Sequence, residues 1–264
     1  MRRLIAFSCA GAELAGSLDA AAGATGLVMV TGGSQTRIGS HRMYERLAKA
    51  LAEKGYSCLR FDRRGVGDSA GEDPGFRGSG PDIAVATAAL RRECPALTRV
   101  VGFGLCDGAS AIALFGREAG LDALILVNPW LVEAEAGEPP AAAVRAHYRK
   151  RLLSLYGWKK LLSSAVDYRK LLRGISRISS QDEGAPLARE TAAALSAARL
   201  RSWLILAAGD ATALAAGQEV KGPAFSGLIE GRETIASDSH TFARPGDEPA
   251  LLTAVVRALT ALAA

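Results

Sequence analysis

The chain has 264 residues, 49% of them hydrophobic and 22% charged, with 32 Lys and Arg against 27 Asp and Glu and a formal net charge of +5. That length suits one α/β domain with an insertion better than two independent domains, and so small a charge excess without a recognised motif excludes a nucleic-acid-binding reading. No apolar run is long and uninterrupted enough to predict a membrane span, and Cys9, Cys58, Cys94 and Cys106 show neither CxxC nor metal-ligand spacing, which points to a reducing cytoplasm and to no metal site.

Met1-Arg2-Arg3 and the short apolar stretch behind it imitate a signal peptide, but Glu13 follows too soon, and a first strand is expected instead. Arg3 to Cys9 and Glu13 to Asp19 read as an antiparallel hairpin around Gly11. Gly26 to Thr31 is a continuous apolar run, the pattern of a strand buried on both faces, and it feeds the turn Gly32-Gly33-Ser34. A helix from about His41 to Lys54 and a strand from Tyr56 to Phe61 follow. The loop Asp62-Arg63-Arg64-Gly65-Val66-Gly67-Asp68-Ser69 comes next. Gly67-Asp68-Ser69-Ala70-Gly71 matches a serine-elbow pattern by letters, yet a polar, flexible segment follows it rather than a helix, so Ser69 is not expected to be a nucleophile. Asp62 and Arg64 are expected to tether the loop. Pro81 to Cys94 is an alanine-rich helix with Pro81 in its first turn.

Val100-Val101-Gly102-Phe103-Gly104-Leu105-Cys106-Asp107-Gly108 reads as a strand, a sharp turn and a helix start. A turn this tight forces its central residue into a strained backbone, and flanking glycines remove the Cβ atoms that would collide there. Cys106 is thereby presented at the sheet edge, and the backbone N–H of Asp107 points where a substrate oxyanion would form. This segment resembles the nucleophile elbow of the α/β-hydrolase superfamily, with cysteine in place of serine as in dienelactone hydrolases. Together with the segments Val30 to Arg42 and Phe61 to Ser69, it resembles the bacterial exosortase A system-associated hydrolases. The resemblance implies an α/β-hydrolase fold, a mostly parallel sheet flanked by helices with a helical cap insertion. It also implies that Gly33 or Ser34 donates the other oxyanion-hole N–H, against the alternative of a mere tight turn.

Ala109 to Ala119 continues as a helix and Asp122 to Asn128 as a strand ending at Pro129. The strand and helix order breaks from Trp130 to about Leu200, so residues 1–129 and 201–264 form the expected core and residues 130–200 the expected cap. The cap is basic: ten Lys and Arg face only Asp167 among acidic residues between Ala141 and Arg177. That run reads either as a solvated helix face or as a field for an anionic substrate, carrier or membrane surface, with Lys159 and Lys160 as substrate contacts. Tyr148, Tyr156, Trp158 and Tyr168 among those charges suit an acyl pocket or the packing of the cap equally.

Ser202 to Ala207 resumes the sheet and places Asp210 just beyond a strand end, where the superfamily keeps its triad acid; capping the following helix is the other reading. Phe225 to Glu230 is the expected last strand and a terminal helix runs to about Ala263. Of the three histidines, His41 follows the oxyanion turn, His147 lies in the cap and His240 follows the last strand. His240 fits the base, and the chain order Cys106, Asp210, His240 is that of the superfamily. Asp238 competes with Asp210 but lies two residues from the ring it would have to reach. His41 is left to contact substrate or cap a helix. The expected chemistry is hydrolysis of an ester, thioester or related acyl bond through a Cys-His-Asp triad, on a small-molecule acyl substrate and with no cofactor. An acyltransferase, or a noncatalytic scaffold binding an anionic partner through the basic segment, are the alternatives.

Overall fold

A computed structural model describes residues 2–133 and 184–263 of the chain. Strands β1 (Arg2–Cys9) and β2 (Ala12–Asp19) form a hairpin whose two turn residues, Ala10 and Gly11, both have positive φ, as a tight turn between twisted strands requires. β3 (Thr25–Val30), β4 (Ser57–Phe61), β5 (Arg99–Leu105), β6 (Ala123–Val127), β7 (Arg201–Ala207) and β8 (Gly231–Ile235) complete one sheet in the order β1-β2-β4-β3-β5-β6-β7-β8. β3 to β8 run parallel, and β2 pairs antiparallel with β1 and β4. The central strands read as nearly unbroken apolar runs because helices cover both faces.

Helix α1 (Met43–Glu53) packs against β4 and against the terminal helix, and α2 (Gly80–Glu93), α3 (Asp107–Phe115) and α4 (Pro186–Ala198) form a contacting series on the sheet. α5 (Ala211–Glu219) follows β7, and α6 (Asp247–Ala263) closes the chain. α4 lies within the span expected to be cap, yet it packs on α3 and puts Ala188, Ala192 and Leu195 into the main core. It packs also on the 3-10 turn Pro223–Phe225. The rest of that span from residue 134 to 183, with Lys159, Lys160, His147 and the aromatic residues, lies outside the described residues. Glu133 and Glu190, on either side of it, both pair with Arg77, at 3.4 and 2.7 Å. Among the described residues no helix is long and apolar enough to cross a membrane.

Two boundaries differ from the sequence reading. The last strand is Gly231–Ile235, not Phe225 to Glu230. Phe225 instead closes a 3-10 turn and is buried as a loop anchor. The register is set by Trp203, which pairs with Gly231 and whose ring would meet a Cβ there at 2.1 Å. Secondly, α1 starts at Met43 because His41 and Arg42 take left-handed conformations, with φ of 43° and 66°. Packing of Gly39 beneath Tyr44 makes that bend: a Cβ on Gly39 would lie 2.6 Å from the tyrosine ring.

The elbow rests on a backbone contact that no side chain can relieve. A Cβ on Gly104 would lie 2.5 Å from the Gly108 carbonyl oxygen and 2.6 Å from the Ala109 nitrogen. Gly104→Ala is therefore expected to destabilise the fold by at least about 1–3 kcal/mol through overpacking, read as a lower denaturant midpoint with an unchanged m-value.

Candidate active site

Cys106 stands between the end of β5 and the first residue of α3, at φ 60° and ψ −129°. A non-glycine residue keeps this conformation only when its surroundings hold it there. Here they do: the Cys106 N–H donates to the Val127 carbonyl at 3.0 Å, and its own carbonyl accepts from Trp130 at 3.1 Å. The Tyr44 hydroxyl ties β3 to β5 just below, donating to the Val30 carbonyl at 2.8 Å and accepting from the Leu105 N–H at 3.1 Å. Close approach is again required, since a Cβ on Gly108 would lie 2.5 Å from the Val30 oxygen.

Asp210 and His240 arrive at the same edge from the ends of β7 and β8. His240 Nδ1 and Asp210 Oδ2 are 2.9 Å apart, and the Cys106 side chain is the ring's second polar neighbour. Asp210 Oδ2 also accepts the Ala213 N–H at 2.8 Å, so the two roles considered for this aspartate coexist: it caps α5 and faces the imidazole. Asp238 instead pairs with Arg244. The hydrogen bond to Asp210, then the contact with Cys106, outweigh burial and push the His240 pKa up to about 10. Both contacts favour the charged form of the ring.

Two of the other thiols, Cys9 and Cys58, are buried. Burial pushes Cys9 up to about 11, with its Sγ donating to Asp82 at 3.1 Å, and burial likewise raises Cys58. Ser69 is also committed to structure, its hydroxyl donating to the Asp62 carbonyl at 2.7 Å and accepting the Ala15 N–H at 2.9 Å. Asp62 pairs with Arg37, and Arg64 with Asp82 at 2.6 Å.

At the turn after β3, both backbone groups of Gly33 are held. Its carbonyl accepts from the buried Arg63 guanidinium, and its N–H donates to Asp107 Oδ1 at 2.6 Å. No hydrogen bond engages the Ser34 N–H among the described residues, and Asp107, as first residue of α3, has no intrahelical acceptor for its own N–H. His41 does not present a free ring nitrogen to substrate. Its Nε2 donates to the Thr241 carbonyl at 2.8 Å, which leaves Nδ1 to accept from Arg46 at 3.1 Å. It straps the loop that carries His240.

Sequence reasoning missed Asn128. Fully buried at φ 41°, it donates through Nδ2 to the His240 carbonyl and accepts the Ala207 N–H through Oδ1, both at 2.8 Å. The signal was present: a polar residue ending an apolar strand, directly before a proline, at the edge where the other candidates converge. Among the described residues no cluster of His, Cys, Asp or Glu is arranged to hold a metal ion.

The family described as serine aminopeptidase, S33 matches residues 25–202. Several solved structures share the fold. An esterase of Pyrococcus furiosus superposes with a TM-score of 0.64 at 13% identity, over 97% of this chain and 91% of its own. A dienelactone hydrolase from Anabaena variabilis gives 0.62 at 17% identity, over 97% and 95%. Est1E from Butyrivibrio proteoclasticus, solved with ferulic acid bound, gives 0.63 at 17% identity, over 98% of each chain. No curated protein matches the chain in sequence.

Two measurements check this geometry. The His240 ring is expected to titrate near pH 10 by NMR, and Asp210→Asn to lower that value toward the 6.5 of a free imidazole. Because the folded-state pKa is the raised one, the stability this contact supplies is complete below pH 6.5 and is lost as pH rises through about 10. Asn128→Ala orphans a buried N–H and a carbonyl, and is expected to cost roughly 1–3 kcal/mol in denaturant titration while lowering the intensity-weighted order of the His240 loop in NMR relaxation.

Proposed function

The chain belongs to the serine aminopeptidase S33 family and has the α/β-hydrolase fold, and on that premise we propose that it is an acyl hydrolase working through covalent catalysis on Cys106. The observation that carries this is the His240 ring bonded to Asp210 at the sheet edge where the Cys106 side chain is its other polar neighbour. The family's description names serine; in this chain cysteine holds the elbow, and the one nearby elbow-like serine, Ser69, is tied into the loop by two hydrogen bonds.

The Cys106 sulfur, as a thiolate or as a thiol whose proton the His240 imidazole takes, attacks the carbonyl carbon of an ester or thioester. A C–S bond forms and the carbonyl π pair moves to oxygen, facing the Asp107 N–H and that of Gly33 or Ser34. When that pair returns, the leaving group departs with the proton His240 held. Water, giving a proton to the now neutral imidazole, attacks the thioester carbon, and as the tetrahedral intermediate collapses the C–S bond breaks, its pair returning to the Cys106 sulfur and the acid departing. Asp210 stays ionised throughout, orienting the imidazole and stabilising its charged form. His41, Arg46 and Asn128 act as positioning residues for the loop bearing His240. Lys159 and Lys160 belong to this reading as contacts for an anionic part of the substrate.

Four unpaired cysteines support a reducing, cytoplasmic setting, and the exosortase-associated resemblance supports a role beside exopolysaccharide production and surface-protein sorting in bacteria. Intact-mass measurement after exposure to a panel of activated acyl esters tests the reading. The expected result is a mass gain of one acyl group in the native chain, lost in Cys106→Ala, with acid released on turnover. An adduct that persists in water but passes to an added alcohol or thiol indicates an acyltransferase. No adduct under any condition returns the protein to a binding scaffold.

A further inference from the structure

We propose that Asp107 is a specificity residue for this reaction, its carboxylate occupying the Gly33 N–H until a substrate oxygen displaces it. The proposal rests on Cys106 as nucleophile. Contacts on the two successive peptides that flank the Gly33 Cα lead to it. Asp107 Oδ1 accepts the Gly33 N–H at 2.6 Å, a charge-assisted hydrogen bond at the short end of the normal range. It also packs so closely on the turn that a Cβ on Gly32 would lie 2.5 Å from that same oxygen. The Gly33 N–H shares its peptide plane with the Gly32 carbonyl, which accepts the Gln35 N–H at 3.3 Å, while Arg63, 2% exposed, holds the next carbonyl along, that of Gly33, so the turn is tied on both neighbouring peptides.

An oxyanion and a carboxylate are competing acceptors for one donor. The tetrahedral intermediate places a full negative charge on oxygen in the space between the Asp107 and Gly33 N–H groups. If the carboxylate remains, that charge forms beside a like charge with one donor fewer, and the loss of a single oxyanion donor typically costs about 10²–10³ in rate. The side chain must therefore leave Gly33 during acylation. Among the described residues its other oxygen has no hydrogen-bond partner, and none of their Lys or Arg side chains pairs with it. A neutral acyl group can displace it. An acyl group with its own carboxylate next to the carbonyl adds a third negative charge at the same spot and is refused. The substrates that fit are neutral or cationic near the reacting carbon, and any anionic group recognised by basic residues lies further along the molecule.

Acylation is the step to measure. The sulfur pair forms the C–S bond to p-nitrophenyl acetate, the carbonyl pair goes to oxygen and returns, and p-nitrophenolate leaves with the electrons of the broken C–O bond. In stopped-flow experiments Asp107→Ala is expected to acylate about tenfold or more faster than the native chain, with KM for this small neutral ester unchanged. Asp107→Asn, which keeps the shape without the charge, is expected to fall between them. Acetyl and malonyl thioesters of N-acetylcysteamine, compared by single-turnover intact mass, read the second part: the native chain is expected to prefer acetyl strongly, and both variants to narrow that preference. The Gly33 amide in a 15N spectrum reports the contact independently, losing its hydrogen-exchange protection in Asp107→Ala.

Acylation at the native rate or slower in both variants overturns the proposal and makes Asp107 a brace for the turn, with Ser34 as the donor. Should Asp107→Ala fail to fold, the Asp107→Asn rate decides alone. A native chain that does not acylate at all, or one that acylates equally in Cys106→Ala, overturns the nucleophile reading first and this one with it.

Discussion

Backbone touching backbone at the elbow is the constraint on which the site depends. β5 can turn into α3 within one residue because Gly104 lies against Gly108 and Ala109, and Gly108 lies against Val30 at the end of β3. Three segments meet with no side chain between them, which aims Cys106 outward and leaves it at φ 60°. Hydrophobic packing in the strands beneath supplies the stability that such a conformation draws on. Tyr44 reinforces the junction from α1, one hydroxyl bonded to both β3 and β5, so the nucleophile, the oxyanion turn and the first helix of the parallel layer are fixed relative to one another.

At the other end of the edge the side chains share duties. A single oxygen of Asp210 caps α5 and faces the imidazole, and Asn128 spans from β6 to the β7 end and the His240 backbone. Sharing of this kind couples orientation to fold: the imidazole is aimed by groups that also end strands and begin helices. The raised pKa of His240 follows from the same arrangement, since both of its polar neighbours favour the cation over the neutral ring.

The sequence carried the sheet and the three converging residues because each leaves a pattern in a short window. A buried parallel strand is a run of apolar residues, and Cys106, Asp210 and His240 each follow one such run or the loop after it. Where a pattern was set by a partner far along the chain, it misled. Phe225 to Glu230 looks apolar enough for a strand, but Phe225 is a loop anchor, and the true β8 begins where Gly231 admits the Trp203 ring. His41 was legible as a polar residue near the site but not as a strap, because Thr241 lies 200 positions away. Asp107 shows the same limit within a single residue. Its backbone role follows from local turn geometry, whereas its carboxylate on Gly33 depends on how β3 and β5 lie side by side.

Arg77 has a wider meaning for how such a protein can diversify. By gripping Glu133 and Glu190 together, it brings the two ends of the intervening stretch to one spot on the scaffold, while α4 returns to α3 on its own apolar face. Changes of length between those two glutamates are thus borne by a stretch whose flanks are tied at one surface point, as long as Leu187 and Ala188 of α4 keep their places in the interior. Evolution, or an engineer, can vary what precedes α4 while Arg77 keeps its flanks together.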